Sequence, residues 1–168
     1  MTMPHRASSS VGGVRGAASG KAPARLPKAG KGRTVLFLDP NPTIRAVARA
    51  VLERDGYRVV EAGTLAEGVA AAVREPLDLL VAEIDWECDP PGRGRGDRRD
   101  GLEVLDALRL VRPGLPCVFL GAAQVDRAYV EAVEGEGIPF VAKPFAAPRL
   151  LRAAAAAVAL GVEAGFGL

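Results

Sequence analysis

The chain has 168 residues, 49% of them hydrophobic, which suits one domain with a packed core and excludes wholesale disorder of its middle. The formal charge of +2 hides an asymmetry: residues 1–33 hold seven Lys/Arg and no acid, leaving fifteen Lys/Arg against twenty acids, about −5, for the rest. No run of eighteen uncharged apolar residues occurs, so no membrane span is expected; Cys88, Cys117 and the lone His5 supply neither a disulfide framework nor zinc-ligand spacing, which fits a reducing cytoplasm.

Residues 1–33 are rich in Gly, Ser, Ala, Pro and basic side chains. They bury too little apolar surface to offset their ordering entropy, and the expectation is a disordered basic tail. Thr34 to Leu38 is a short run apolar on both faces, as a buried parallel strand requires. Asn41-Pro42 then offers an N-cap and a first-turn proline. Ile44, Val47, Ala48, Val51 and Leu52 recur at helical spacing, and Gly56 supplies the stop. Tyr57 to Val60 reads as a second strand.

Thr64-Leu-Ala-Glu67 is a capping-box pattern opening a second helix that ends at Pro76. Leu79 to Ala82 is the third strand, with Glu83 at its carboxyl end. A hydrophilic loop is expected over 85–99, containing the string Gly92-Arg-Gly-Arg-Gly96. That string superficially matches a phosphate-binding glycine loop, but no strand directly precedes it and no helix directly follows, so a solvated insertion is the expectation. Leu102, Leu105, Leu108 and Leu110 pattern a third helix over 101–111, closed by Pro113-Gly114. Cys117 to Leu120 is the fourth strand, and residues 125–133 a short helix before Gly135 and Gly137. Phe140 to Ala142 is the fifth strand, and an alanine-rich helix runs from Ala147-Pro148 to about Leu160, followed by a short tail over 161–168.

Strands alternating with helices through short links imply right-handed βαβ units and a parallel sheet covered on both faces. Polar chemistry in such sheets gathers at the carboxyl ends of the strands, where this chain offers Asp39, Glu83, Asp85 and Lys143. With no histidine beyond His5, no serine after Ser19 and threonines in the folded part only at 34, 43 and 64, a Ser- or His-based hydrolase is excluded, and no enzymatic activity is expected.

The segments VLFLDPNPTIRAVARAVLERDGYRVVEA, DLLVAEID, DGLEVLDALR and VAKPF, in that order and spacing, resemble a response-regulator receiver domain of two-component signalling over residues 34–160. The resemblance implies a flavodoxin-like three-layer sandwich, with five parallel strands in the order 2-1-3-4-5 and five helices. It puts the phosphoacceptor at Glu83, where the family carries aspartate, and the conserved lysine at Lys143. The switch hydroxyl falls on Gly121 and the switch aromatic on Phe140. Of the two adjacent acids that hold Mg²⁺ only Asp39 remains, beside Pro40. The backbone carbonyl of Asp85 takes the third ligand position, so Asp39, Glu83 and Asp85 make at most a weak Mg²⁺ site, and no cofactor is expected.

These departures imply a stand-alone, degenerate receiver that signals without phosphorylation, in the cytoplasm, through a histidine kinase, a downstream effector or a second copy. The face of the fourth helix, fifth strand and fifth helix would make the contact. Glutamate reaches one methylene further than aspartate and can pair permanently with Lys143; that pair either holds an activated-like state or is merely a surviving ion pair. One alternative is a working receiver with Asp85 or Asp39 as acceptor. Another is a nucleic-acid or anionic-surface binder using the basic tail and the Arg/Gly loop, disfavoured because residues 1–33 contain no aromatic to stack on bases. A flavodoxin-like nucleotide binder is disfavoured because Asp39-Pro40 stands where phosphate-loop glycines belong.

Overall fold

The computed structural model describes residues 28–87 and 98–163; the expected tail up to residue 27, Cys88 and the Gly/Arg string lie outside them. Five strands form one parallel sheet: β1 (Thr34–Leu38), β2 (Arg58–Ala62), β3 (Leu79–Glu83), β6 (Cys117–Ala122) and β7 (Phe140–Lys143). Their order is β2-β1-β3-β6-β7, the 2-1-3-4-5 arrangement of a flavodoxin-like fold. All five residues of β1 and of β3 are buried, as their unbroken apolar runs require of central strands covered on both sides.

Two cores result, one on each face of the sheet. Leu36, Leu38, Leu80, Ala82 and Phe119 pack under α2 (Leu65–Arg74), α3 (Gly101–Val111) and α4 (Arg127–Gly135). Val35, Phe37, Leu79, Val81, Val118 and Leu120 alternate onto the other face beneath α1 (Pro42–Arg54) and α5 (Ala147–Glu163). The small residues Ala154 and Ala157 let α5 lie close to the strands.

Local sequence signals set the helix starts. Asn41 Oδ1 accepts from the amides of Thr43 (2.9 Å) and Ile44 (3.3 Å), with Pro42 at the first helical position. Thr64 Oγ1 accepts from Glu67 N at 3.2 Å, while Glu67 reaches back to Gly63 N at 2.7 Å, one residue earlier than in a strict capping box. Asp100 caps α3 through Leu102 N at 2.9 Å. Asn41→Ala is expected to lower the unfolding free energy by about 1 kcal/mol in urea titration, because α1 then starts with orphaned amides.

Two expectations need correction. The expected tail runs to residue 33, yet residues 28–33 pack on the domain: Gly30 is buried, and a Cβ there would fall 2.2 Å from Cδ2 of Tyr57. Gly30 N donates to Asp55 Oδ2 at 3.3 Å and Arg58 N to Arg33 O at 2.9 Å. A count of large apolar residues misses this, since a glycine lying flat on a tyrosine ring contributes none.

The 85–99 loop is the second. Its ends pair as an antiparallel ribbon of β4 (Asp85–Glu87) and β5 (Arg98–Asp100), with Asp85 opposite Asp100. Backbone pairing needs no run of apolar side chains, so a stretch with Trp86 as its one large apolar residue concealed it. Gly101 N donates to Ile84 O at 2.8 Å and ties the ribbon's root to the end of β3.

Candidate functional site

At the carboxyl ends of β1, β3 and β7, three of the expected residues meet. Asp39 closes β1 and is 1% exposed. Its Oδ1 accepts from Asn41 N at 2.8 Å, and its main chain is fixed by Asp39 N donating to Ala62 O at 3.1 Å. Arg45, one turn into α1, donates through Nη1 to the carbonyls of Asp39 (2.7 Å) and Pro40 (3.1 Å). The turn at Asp39-Pro40 is thus held by a cation from its own helix, a contact the sequence did not announce.

Glu83 ends β3 in register with Leu120 of β6. Its Oε1 accepts from the amides of Ile84 (2.9 Å) and Asp85 (3.1 Å), while Oε2 is bonded by Lys143 Nζ. The sequence suggested that glutamate's extra methylene would push its charge outward. Instead the side chain uses that length to fold its carboxylate back onto the two following amides. Asp85 itself is exposed, at the start of the ribbon, so Glu83 is the carboxylate that ends the sheet strand.

Lys143 stands on β7, with β6 between it and β3. Lys143 pairs in register with Ala122 of β6, and its Nζ reaches past that strand to bond Asp39 Oδ2 at 2.5 Å as well as Glu83. Burial alone would pull the ammonium's pKa down. The hydrogen bonds to and charges of Asp39 and Glu83 outweigh that, and Lys143 lies above the ordinary lysine value, so it is charged at neutral pH.

Gly121 is enclosed. A Cβ built there would lie 2.6 Å from Ile84 Cγ2, 3.0 Å from Phe140 Cε2 and 3.1 Å from Val125 Cγ2. The space that a switch hydroxyl would use is filled by an isoleucine methyl, with the half-buried ring of Phe140 against it. Ile84 was not singled out in the sequence, where it reads as one more apolar residue after a strand.

Tyr129 of α4 was also missed: its hydroxyl donates to Asp100 Oδ1 at the cap of α3, beside the ribbon. Burial, then the hydrogen bond to and charge of Asp100, raise the phenol above its ordinary range. No spacing rule connects residues 29 apart, so only the fold reveals the pair.

The donor set does not suit a resident divalent ion. Proline replaces the second acid at position 40, and the ammonium of Lys143 already bridges the two carboxylates that would face the ion. Among the described residues, no group of three or more Asp, Glu, His or Cys side chains is placed to hold a metal. Also among them, no helix is long and apolar enough to cross a membrane.

Comparison with known proteins agrees with the topology. The family model described as response regulator receiver domain matches residues 35–155. The nitrogen assimilation regulatory protein NtrX of Azorhizobium caulinodans is 34% identical over 122 residues, covering 70% of this chain and 24% of that protein. The probable transcriptional regulatory protein TcrX of Mycobacterium tuberculosis is 29% identical over 112 residues, covering 67% of this chain and 44% of that protein. The chain therefore spans less than half the length of either relative. Among solved structures, NtrX from Brucella abortus superposes with a TM-score of 0.65 at 26% identity, covering 79% of this chain and 28% of that one. A CheY-like receiver domain protein from Methanospirillum hungatei gives 0.62 at 22% identity, covering 79% and 98%, a likeness of fold.

Proposed function

We propose a function that proceeds from one fact: this chain belongs to the response regulator receiver domain family. It is a degenerate receiver module of a bacterial two-component or phosphorelay system, acting by protein–protein contact without being phosphorylated. The observation that carries this reading is the state of Glu83, whose carboxylate is engaged on both oxygens, by Lys143 on one and by two backbone amides on the other. Phosphoryl transfer to a carboxylate needs a free attacking oxygen and cations that neutralise the developing charge. Here Pro40 removes one metal ligand, the lysine is committed to the ground state, and Gly121 offers no hydroxyl.

Residues 34–160 form the receiver unit, and neither Mg²⁺ nor another cofactor resides in it. Partners in this reading are a histidine kinase, a downstream effector or a second copy, in the cytoplasm, and the face of α4, β7 and α5 with Phe140 presents the contact. The relatives' names, regulators of nitrogen assimilation and of transcription, support a regulatory role. The rival, a working receiver using Asp85 or Asp39, is less well supported: Asp39 is almost wholly buried and hydrogen-bonded by Asn41 N and Lys143. Nucleic-acid binding rests on residues outside the described part and gains no support from the site.

Intact-protein mass after incubation with acetyl phosphate and Mg²⁺ tests the reading. The native chain is expected to keep its mass. Uptake of a hydroxylamine-labile phosphoryl group by the native chain would overturn the proposal, and the modified residue could then be mapped. Uptake by Glu83→Asp alone would show that the acceptor change by itself retired the chemistry.

A further inference from the structure

Two faces of the molecule carry exposed apolar surface beside charge of opposite sign. A groove of about 590 Å³ runs between α1 and α5, its bed formed by Ala50 and Val51 on one side and by Ala147, Pro148 and Leu151 on the other. Each helix sets a cation one turn beyond its part of the bed: Arg54 four residues after Ala50, and Arg152 four after Pro148. Both arginines are exposed, and neither forms an ion pair among the described residues. The acids nearby are engaged, Glu53 by Arg49 at 2.8 Å and Asp55 by Gly30 N at 3.3 Å, so the rim is positive.

The complementary surface lies across the sheet, on α3. Leu110 is 87% exposed, the most exposed large apolar side chain among the described residues. Glu103, Asp106 and Leu110 stand at i, i+3 and i+7, a single stripe on the solvent side of the helix. Both acids are exposed and form no ion pair among the described residues. Val73 is 62% exposed and lies at the same end of this layer as Leu110, because Arg112 ties the end of α3 to that of α2 through the carbonyls of Ala72 and Glu75, both at 2.7 Å. On α2 the exposed charges, Glu67 and Arg74, cancel, so the layer keeps the negative charge of the α3 stripe.

We propose that the α3 stripe of one copy docks in the α1–α5 groove of a second copy, with Leu110 entering the apolar bed and Glu103 and Asp106 meeting the arginine rim. The acids precede the leucine by ~6 and ~11 Å along the helix, at about 1.5 Å per residue, so they reach the rim while Leu110 fills the bed. Burial of Leu110 and Val73 supplies attraction, and the opposite charges set the register. The two surfaces lie on opposite faces of the sheet, so the contact is head-to-tail. A copy whose groove is filled still presents its own stripe, and association continues past a dimer. None of these residues belongs to the carboxylate–lysine cluster, so the contact does not depend on the state of Glu83.

Sedimentation velocity of the full-length protein over a wide concentration range tests it. The native weight-average mass is expected to rise with concentration beyond that of a dimer, and to fall back toward the monomer in high salt. Leu110→Asp spoils the stripe, and Arg54→Glu with Arg152→Glu reverses the rim. All three side chains are exposed, so both variants should keep the native circular dichroism. Each alone is expected to stay monomeric. Mixed in equal amounts they should form a dimer and stop there, since the Leu110→Asp copy keeps its groove and the other keeps its stripe. A native protein that is monomeric throughout overturns the proposal, as does a mixture that stays monomeric while the native protein associates. Association that persists in either variant alone also overturns it, because the contact would then join two like surfaces or lie on another face.

Discussion

Lys143→Met is expected to destabilise the protein by about 3 kcal/mol, as measured by urea unfolding at neutral pH. The substitution keeps the stem and removes the charge, leaving Asp39 and Glu83 as two carboxylates in one pocket with side-chain exposures of 1% and 12%. Breaking a buried pair by deleting one partner typically costs about 3–5 kcal/mol, because the remaining charge has lost both water and counter-ion. The lower end applies here, since the lysine side chain is 17% exposed. The surface pairs Arg49–Glu53 and Arg127–Glu131 join exposed side chains screened by solvent, so removing either is expected to change stability far less than removing Lys143.

A second substitution separates charge from packing. Glu83→Gln added to Lys143→Met removes one of the two stranded carboxylates and should recover part of the loss. If the double variant is no more stable than the single one, the stranded charge of Glu83 is not the source of the loss. The pH dependence has a definite sign. Lys143 lies above its unfolded value, so its contribution is fully present below about pH 10.4 and is lost as pH rises through the folded pKa. The alkaline decline in stability should therefore be shallower in Lys143→Met than in the native protein.

The parallel sheet was legible from the alternation of apolar runs and helical stretches, while the strand order came from the resemblance to receiver domains and not from the pattern. Apolar runs such as Leu79 to Ala82 have no alternative to burial on both faces, and Asn41-Pro42 and Asp100-Gly101 mark helix starts by local chemistry alone. Asp39, Glu83 and Lys143 could be placed together because parallel strands bring their carboxyl ends to one edge. What escaped was everything set by contacts between elements of unrelated spacing. Arg45 on the Asp39-Pro40 turn and Tyr129 on Asp100 each join elements whose separation no periodicity encodes. The ribbon of β4 and β5 was hidden for a different reason, since its pairing is backbone to backbone and all its residues but Trp86 are charged.

Gly121→Thr is expected to destabilise the protein by about 2–3 kcal/mol and to leave it unable to accept a phosphoryl group, even in combination with Glu83→Asp. Threonine's Cβ would start 2.6 Å from Ile84 Cγ2, closer than any packed carbon pair. That methyl sits directly on a β-branched carbon beside the ribbon root, where Gly101 N bonds Ile84 O, so it cannot swing away as the tip of a long side chain could. Overpacking of this kind typically costs about 1–3 kcal/mol. Ile84→Ala should relieve it: the double variant Ile84→Ala/Gly121→Thr should be more stable than the sum of the single losses predicts, by an interaction energy of about 1 kcal/mol or more. Strict additivity, or a native-like Gly121→Thr, would show that the enclosure is soft and that the missing hydroxyl is a simple point loss. The expected coupling has a functional consequence. Ile84 and Phe140 lie against Gly121, so under the proposed reading a hydroxyl at 121 is accommodated only together with a change at 84.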